Sequence, residues 1–396
     1  MQILSFLKSK NKEELVLVFH VGSSFVKGAL FQVQKSGIPK IIFTVSEPII
    51  ILEKMDIDQF FSLTLKSLSV VAGKISQSGI GSPVKIFCVL SSLWYGSQTR
   101  IIRFAKNTPF VFNSKLADSL IQKEISFFEK EHIEKYAHTG AKVLPIELKN
   151  MKTMLNGYET STPLNQKAKE LEMDVFISMS SEQFLDKVQE ITASNFHRKE
   201  IKFSSAVMVS FAVARDMFPE TKSFLLINID GEITDIAMVK MGILSESISF
   251  PIGRNFITRG LGKDFSFTLD EANSLISLHK DGHAEVGIKK NIEPVIDKLK
   301  TEWLRKFQES LANLSNDISI PATLYITVDK DLADFFNQII ENEQFSQYTL
   351  TESKFKIIFL NAEILHGKVT LEKKVINDSK INDLIIDSIY INRFLS

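Results

Sequence analysis

Apolar positions along the chain alternate between strand-like runs and helical stripes. Short runs predict strands at Leu15 to Phe19, Lys27 to Val33 and Lys40 to Val45, which together form a three-strand meander. One helical face is apolar from Asp58 to Lys74, and the unbroken apolar run Val84 to Leu90 is typical of a strand buried on both faces. Strands that alternate with helices in this way predict an α/β protein.

The later half of the chain repeats this order of patterns. Strands are predicted at Phe224 to Ile229, Asp235 to Lys240 and Ile243 to Ser249, and a long helix at Ile292 to Leu314. Thr268 and Glu271 have the spacing of a capping box. The remaining predictions are strands at Ala322 to Val328 and Lys356 to Leu360, and helices at Ser181 to Ser194, Leu332 to Glu341 and Lys380 to Ser396.

Between the two halves lies a segment of different character. It contains a charged helix, Ser114 to Lys130, and strands at Ala141 to Ile146, Lys152 to Leu155 and Glu170 to Ser178. Asn156-Gly157 is a strong signal for a tight hairpin turn. We therefore expect a separate small domain, a strand, helix, strand, strand block, inserted into the α/β chain.

Composition excludes several classes of protein. The 396 residues are 44% hydrophobic, which predicts two or more compact units, and 47 basic residues balance 47 acidic ones without a basic stripe, so nucleic acid is not an expected partner. Cys88, the single cysteine, excludes disulfides and is expected in the core. No apolar run is long enough for a membrane span. Residues 1–12 are a frayed tail, a weak membrane-surface helix or a docking peptide. The simplest location is the cytoplasm.

Two turns of small residues carry the candidate chemistry. Gly22-Ser23-Ser24 follows the first strand, and Asp230-Gly231-Glu232 follows the strand that ends at Ile229. Backbone N–H groups at such turns can converge on an anion, and small residues allow close approach to phosphate oxygens. The structural alternative is that these glycines serve only tight turning.

These turns lie in longer motifs that carry a family resemblance. The motifs are His20-Val21-Gly22-Ser23-Ser24 with Val26-Lys27, Asn228 to Asp235, Phe250 to Thr258, and Leu155-Asn156-Gly157-Tyr158 with Pro163. In order and spacing the chain resembles the bacterial actin-like ATPases of the cell-division FtsA and pilus-assembly PilM kind, from about residue 13 to 360.

The resemblance implies a two-lobed, actin-like (ribonuclease H-like) α/β fold with an inserted SHS2-like subdomain. The first lobe would comprise residues 13–97 and 195–222, and the insertion residues 98–194. The second lobe would comprise residues 223–262 and 322–396, with residues 263–321 as its helical subdomain.

The resemblance also implies a nucleotide site. Its members here would be His20, Gly22, Ser23, Ser24, Lys27, Asn228, Asp230, Gly231, Thr234, Asp235 and Gly253.

Five departures from the family pattern all weaken that site. His20 and Asn228 replace the two aspartates that hold hydrated magnesium in the family, and Asp230 replaces a glycine next to the phosphates. Arg254 replaces a second glycine, and Thr327-Val328-Asp329 replaces the Gly-Gly of the adenosine turn. We therefore expect ATP and magnesium to bind weakly or not at all, and we assign no catalytic residue and no metal site. His20 is either a neutral anion donor or a satisfied cleft histidine.

The expected function is that of a scaffold of FtsA or PilM type, which binds protein partners in a cell-division complex or in a pilus or envelope complex. Self-association and contact with the inner face of the membrane are two further options. The alternative is a working ATPase in which Asp230, Glu232 and Asp235 supply the carboxylates. A sugar kinase is disfavoured, because no catalytic base is visible near the first loop.

His279 and His283 have metal-ligand spacing but no third ligand, which favours a frayed helix end.

Overall fold

The computed structural model describes residues 14–34, 36–135, 142–197, 200–280, 286–314, 320–341 and 354–395. The N-terminal segment 1–12 and His283 lie outside these residues, and the side chain of His279 is not described. The strands are β1 Leu15–Val21, β2 Phe25–Val33, β3 Pro39–Pro48, β4 Lys85–Leu90, β5 Gly96–Val111, β6 Val143–Leu155, β7 Tyr158–Glu159, β8 Lys167–Ser181, β9 Lys202–Ser205, β10 Phe224–Ile229, β11 Thr234–Lys240, β12 Ile243–Phe250, β13 Thr323–Val328, β14 Lys356–Phe359 and β15 Thr370–Leu371. The helices are α1 Ile57–Ser76, α2 Ser114–Lys135, α3 Glu182–Phe196, α4 Ala206–Met217, α5 Arg254–Phe265, α6 Leu269–Lys280, α7 Val286–Leu314, α8 Ala333–Glu341 and α9 Asn382–Asn392.

Two sheets share one strand plan. The first has the order β15-β3-β2-β1-β4-β9 and the second β12-β11-β10-β13-β14. In each, an antiparallel meander of three strands is extended by two parallel strands. The turn after β1 and the turn after β10 therefore occupy equivalent positions in the two sheets.

Helices cover both faces of both sheets. Val16 and Val18 of β1 pack with α4 and α9, as do Leu226 of β10 and Tyr325 of β13, so these two helices lie between the sheets. The opposite face of the first sheet packs against α1 and α3, and that of the second against α5 to α8. Burial on both faces explains why β1 and β10 are almost continuously apolar.

Several local predictions are confirmed. The capping box forms, since the Glu271 carboxylate accepts the Thr268 N–H at 2.8 Å and the Thr268 hydroxyl accepts the Glu271 N–H at 3.3 Å. Asn156 and Gly157 both have positive φ, at 51° and 82°, as a two-residue hairpin turn requires. Cys88 is fully buried.

The inserted segment differs from its prediction in two respects. Its first strand, β5, is a 16-residue polar strand at the edge of a four-stranded sheet of order β5-β8-β6-β7. The two strands predicted at 141–146 and 152–155 are a single strand, β6, whose pairing with β8 shifts register twice. These irregularities interrupt the apolar alternation by which a long strand is recognised.

The end of the chain also differs from its prediction. Residues beyond about 370 were expected in the second lobe, but β15 pairs with β3 of the first sheet. Helix α9 packs on β1, β2 and β3 and against α4. Leu384, Ile385 and Ile391 are buried there, because α9 fills the layer between the two sheets.

Trp303 of α7 anchors the helical side of the second sheet. It is 2% exposed, stacks on Phe307 and donates its indole N–H to the Thr234 hydroxyl at 3.1 Å. Replacing Trp303 by Ala should lower the free energy of unfolding by roughly 3–5 kcal/mol, since a large cavity is left. Trp303→Phe, which keeps a ring and loses the hydrogen bond, should lose less. Urea denaturation followed by circular dichroism measures both, and a loss under about 1 kcal/mol for the alanine variant contradicts this account of the core.

Candidate functional site

The turns after β1 and after β10 lie in direct contact. The Glu232 N–H donates to the Ser23 hydroxyl at 2.9 Å. A Cβ on Gly231 would stand 2.6 Å from the Ser23 carbonyl carbon and oxygen, so only glycine allows this approach. The structure thus brings together the two hairpins that the sequence singled out, and it leaves no gap between them.

The Asp230 carboxylate occupies the point on which the first hairpin's donors converge. Its Oδ2 accepts the Ser23 N–H at 2.7 Å and the Ser91 hydroxyl at 2.9 Å. Its Oδ1 accepts the Ser24 N–H at 3.2 Å, the Ser24 hydroxyl at 2.8 Å and its neighbouring Gly231 N–H at 2.7 Å. The sequence predicts that Asp230 would crowd and repel a bound phosphate; in the structure it stands in the anion cradle itself.

Gly253 supports the second hairpin from behind. Arg254 N–H donates to the Asp230 carbonyl and Asn255 N–H to the Gly231 carbonyl, both at 2.8 Å. A Cβ on Gly253 would lie 2.3 Å from the Asp230 carbonyl oxygen. The first free N–H groups of α5 are therefore bonded to the hairpin, which is how a helix start satisfies its unpaired donors.

Below the hairpins lies a buried cluster of opposite charges. His20 Nδ1 is 2.9 Å from Asp387 Oδ2, and Lys27 Nζ is 2.5 Å from Asp383 Oδ2. Asp329 adds a further carboxylate 3.6 Å from Lys27 Nζ.

Two more cations close the outer side of this cluster. Arg254 and Lys380 each contact Asp329 Oδ2 at 2.9 Å, and both also contact Asp331. Both cations also lie over the Phe25 ring. The Asp329 that replaces the expected Gly-Gly turn is thus the centre of a salt-bridge network.

This network shifts the pKa values of its members. Burial alone lowers the pKa of His20, but the Asp387 and Asp383 carboxylates outweigh it and raise that pKa to about 9. Burial likewise opposes the charge on Lys27, yet Asp383 and Asp329 hold its pKa above the ordinary value. Burial favours neutral Asp329, but Lys27, Lys380 and Arg254 hold its pKa well below the usual range. His20 is thus a charged member of an ion pair, which differs from the interpretation as a neutral anion donor and agrees with that of a satisfied cleft histidine.

Asp235 and Thr234 serve other contacts. Asp235 accepts hydrogen bonds from the hydroxyls of Ser92 and Ser249, the latter at 2.6 Å, and burial raises its pKa to about 6. Thr234 is fully buried and donates to the Ile252 carbonyl at 2.6 Å. Thr234 therefore belongs to the core behind β11 and does not face the cleft.

Glu232 joins the second hairpin to the far side of the cleft. Arg259 of α5 binds its carboxylate through two hydrogen bonds of 2.7 Å, and Asn255 donates a third at 2.7 Å. Arg259 Nε also donates to the Leu52 carbonyl, on the segment after β3, at 2.7 Å. Arg259 thus connects the second hairpin, which it binds through the Glu232 carboxylate, with the segment after β3.

Protein groups occupy most of the space and most of the donors at the junction of the two hairpins. The cavity that remains, lined by His20, Lys27, Asn228, Asp230 and Asp383 among others, measures about 20 Å³, which holds about one water molecule. Ligand pockets for small molecules are usually on the order of 300–1,000 Å³. The acids that the ATPase alternative requires, Asp230, Glu232 and Asp235, are each bound to protein donors. Within the described ranges no group of three or more His, Cys, Asp or Glu side chains is placed to hold a metal ion.

Sequence reasoning missed the acidic residues of α9. Asp383 and Asp387 are four positions apart in the largely apolar helix α9, so they share one face of that helix. Asp387 is buried, and the Asp383 side chain is 19% exposed. Carboxylates on an apolar helix are a signal of buried pairing. The signal does not reveal the partners, which lie more than 350 residues earlier.

Comparisons with known proteins establish the fold. The chain is similar to a chain of the PilM–PilN type IV pilus biogenesis complex, at 13% identity, with 96% of this chain and 97% of that chain covered and a TM-score of 0.58. It is also similar to the ethanolamine utilization protein EutJ from Carboxydothermus hydrogenoformans, at 10% identity, with 97% and 90% covered and a TM-score of 0.44. A Bacteroides thetaiotaomicron protein with actin-like ATPase fold is 10% identical, with 97% and 99% covered and a TM-score of 0.39. No family model matches the sequence, and no curated protein does.

The chain therefore has the α/β actin-like ATPase fold that the sequence predicted. Within that class, the arrangement it matches at a TM-score of 0.58 is that of PilM. In the part of the chain described by the structure, no helix is both long and apolar enough to cross a membrane.

Lys27 tests the buried network. Replacing Lys27 by Met leaves Asp383 and Asp329 short of a cation inside the protein, so the free energy of unfolding should fall by roughly 3–5 kcal/mol. The matched control is Lys40→Met, because Lys40 pairs with Glu372 at 2.6 Å on the surface, where a pair contributes about 0–1 kcal/mol. Chemical denaturation at neutral pH measures both losses. Equal losses for the two variants would contradict a network that stabilises the closed cleft.

His20 predicts a particular dependence of stability on pH. Its pKa in the folded chain, about 9, lies above the ordinary 6.5, so the charged form contributes stability that is complete below pH 6.5 and disappears as pH rises through 9. The loss over that window should be about 3 kcal/mol. Denaturant midpoints at pH 6 to 9 measure it. The slope should vanish in His20→Gln and persist in the control His366→Gln, whose imidazole is exposed; a slope unchanged by His20→Gln rules the assignment out.

Proposed function

We propose that the chain is an actin-like scaffold that works through protein–protein contacts and no longer uses nucleotide. The observation that carries this proposal is the Asp230 carboxylate in the anion cradle, with donors at 2.7–3.2 Å. A phosphate would need the same donors, and the carboxylate already holds them. We propose that the residues which the sequence assigned to a nucleotide site are what remains of that site.

The proposed setting is an envelope assembly. The PilM–PilN similarity supports a cytoplasmic partner of the pilus type, at the inner face of the membrane. A division role of FtsA type, self-association and peripheral membrane contact belong to the same proposal. The lobe boundaries given above, with the small four-stranded sheet as the SHS2-like subdomain, are proposed with one change: residues from about 370 belong with the first lobe.

Calorimetric titration with ATP and magnesium tests the proposal. Wild-type protein should show no saturable binding up to millimolar nucleotide, because binding would require displacing Asp230 and opening the salt-bridge network. Asp235→Ala should behave the same, since Asp235 is bound to Ser92 and Ser249. Binding in the low micromolar range, weakened by Asp235→Ala, would support the ATPase alternative instead.

Partner binding gives the second arm of this test. The affinity for a cytoplasmic segment of a pilus or division partner should be the same with ATP and magnesium as with a chelator. A change of tenfold or more between the two conditions would show that nucleotide controls the interaction.

A further inference from the structure

Four of the five donors to the Asp230 carboxylate come from the opposite side of the cleft, and the fifth is the neighbouring Gly231 N–H. Ser23 and Ser24 lie on the turn after β1, and Ser91 follows β4, so all three belong to the first sheet. Asp230 ends β10 in the second sheet. The first sheet therefore builds an anion site, and the second sheet supplies the anion.

The site has the chemistry of an oxyanion nest. Two successive backbone N–H groups, of Ser23 and Ser24, and two hydroxyls, of Ser24 and Ser91, point at one carboxylate. Successive N–H groups in a turn form a concavity that favours a small anion. Ser23 is fully buried and Ser24 is 8% exposed, so water cannot easily replace the carboxylate.

The space around the nest matches the carboxylate closely. A Cβ at Gly22 would come within 2.8 Å of Asp230 Oδ2, and one at Gly231 would meet the Ser23 backbone at 2.6 Å. Glycine at both positions lets the carboxylate reach the N–H groups. The two glycines thus fit an intramolecular ligand as well as they would fit a phosphate.

We propose that Asp230 is an intramolecular ligand which keeps the two sheets closed without any soluble ligand, and that removal of its carboxylate uncovers a site for a small oxyanion. The proposal concerns the cleft of the proposed function, but its test uses neither nucleotide nor partner. The two can therefore fail separately: ATP binding overturns the function, and the formate experiment below overturns the intramolecular ligand.

Chemical rescue tests the proposal directly. Asp230→Ala deletes the three heavy atoms of a carboxylate, and sodium formate supplies the same three. The melting temperature of Asp230→Ala should be lower than that of wild type by roughly 5 °C or more. Formate at 10–100 mM should raise it saturably above the value in sodium chloride of equal ionic strength, and wild type should show no such difference.

Asp235→Ala is the matched control. Asp235 is buried near the same hairpin and also bridges the sheets, through Ser92, but hydroxyls rather than successive N–H groups hold it. Formate should therefore leave its melting temperature at the chloride value. If Asp235→Ala and Asp230→Ala respond equally, or neither responds, no specific anion nest exists and the proposal is overturned.

Asp230→Asn keeps the experiment decisive if the alanine variant does not fold. The amide has the shape of the carboxylate but directs its own N–H toward N–H donors, so the melting temperature should fall by several degrees with no formate response. Wild-type stability for Asp230→Asn would show that the side chain fills space only, which overturns the role of its charge.

Discussion

The contact between a carboxylate of the second sheet and the N–H groups of the first is the interaction on which the closed cleft depends. Without Asp230, the N–H groups of Ser23 and Ser24 would be buried without an acceptor, and leaving a buried donor unpaired costs more than a typical hydrogen bond contributes. With it, the glycines of both turns bring two backbones into contact. The hydrogen bond from Arg259 to the Leu52 carbonyl is a second link across the cleft.

The buried charges below the hairpins form a mutually dependent set. His20 and Lys27 stand where solvent is excluded, so each needs a carboxylate, and α9 supplies Asp387 and Asp383. A buried pair contributes little net stability compared with apolar residues of the same size, but loss of one partner is severe. The charge on His20 therefore depends on the acids of a helix at the other end of the sequence.

The sequence predicts best what local pattern and turn chemistry determine. Strands β1, β4 and β10 are apolar because both faces are covered, and glycine turns mark the ends of β1 and β10. Strand β5 escaped prediction because an edge strand of a small sheet stays polar, and β15 because its pairing with β3 joins residues about 330 apart. In the site, the sequence identified the two small-residue turns that the structure brings into contact. The sequence could not show that the Asp230 carboxylate lies among the donors of the first hairpin, because that position depends on the distance between the two sheets.

The ion pair between His20 of β1 and Asp387 of α9 has a consequence for biosynthesis. His20 is synthesised early, whereas its counter-ion Asp387 lies 367 residues later in the chain. Until Asp387 has been synthesised, the imidazole of His20 in the first sheet has no carboxylate partner. Contacts this distant in sequence form slowly, because closing a long loop has an entropic cost. The N-terminal half therefore cannot reach its final packing on the ribosome before residues 382–392 emerge. The final packing of the first sheet around His20 therefore requires that α9 has already been synthesised.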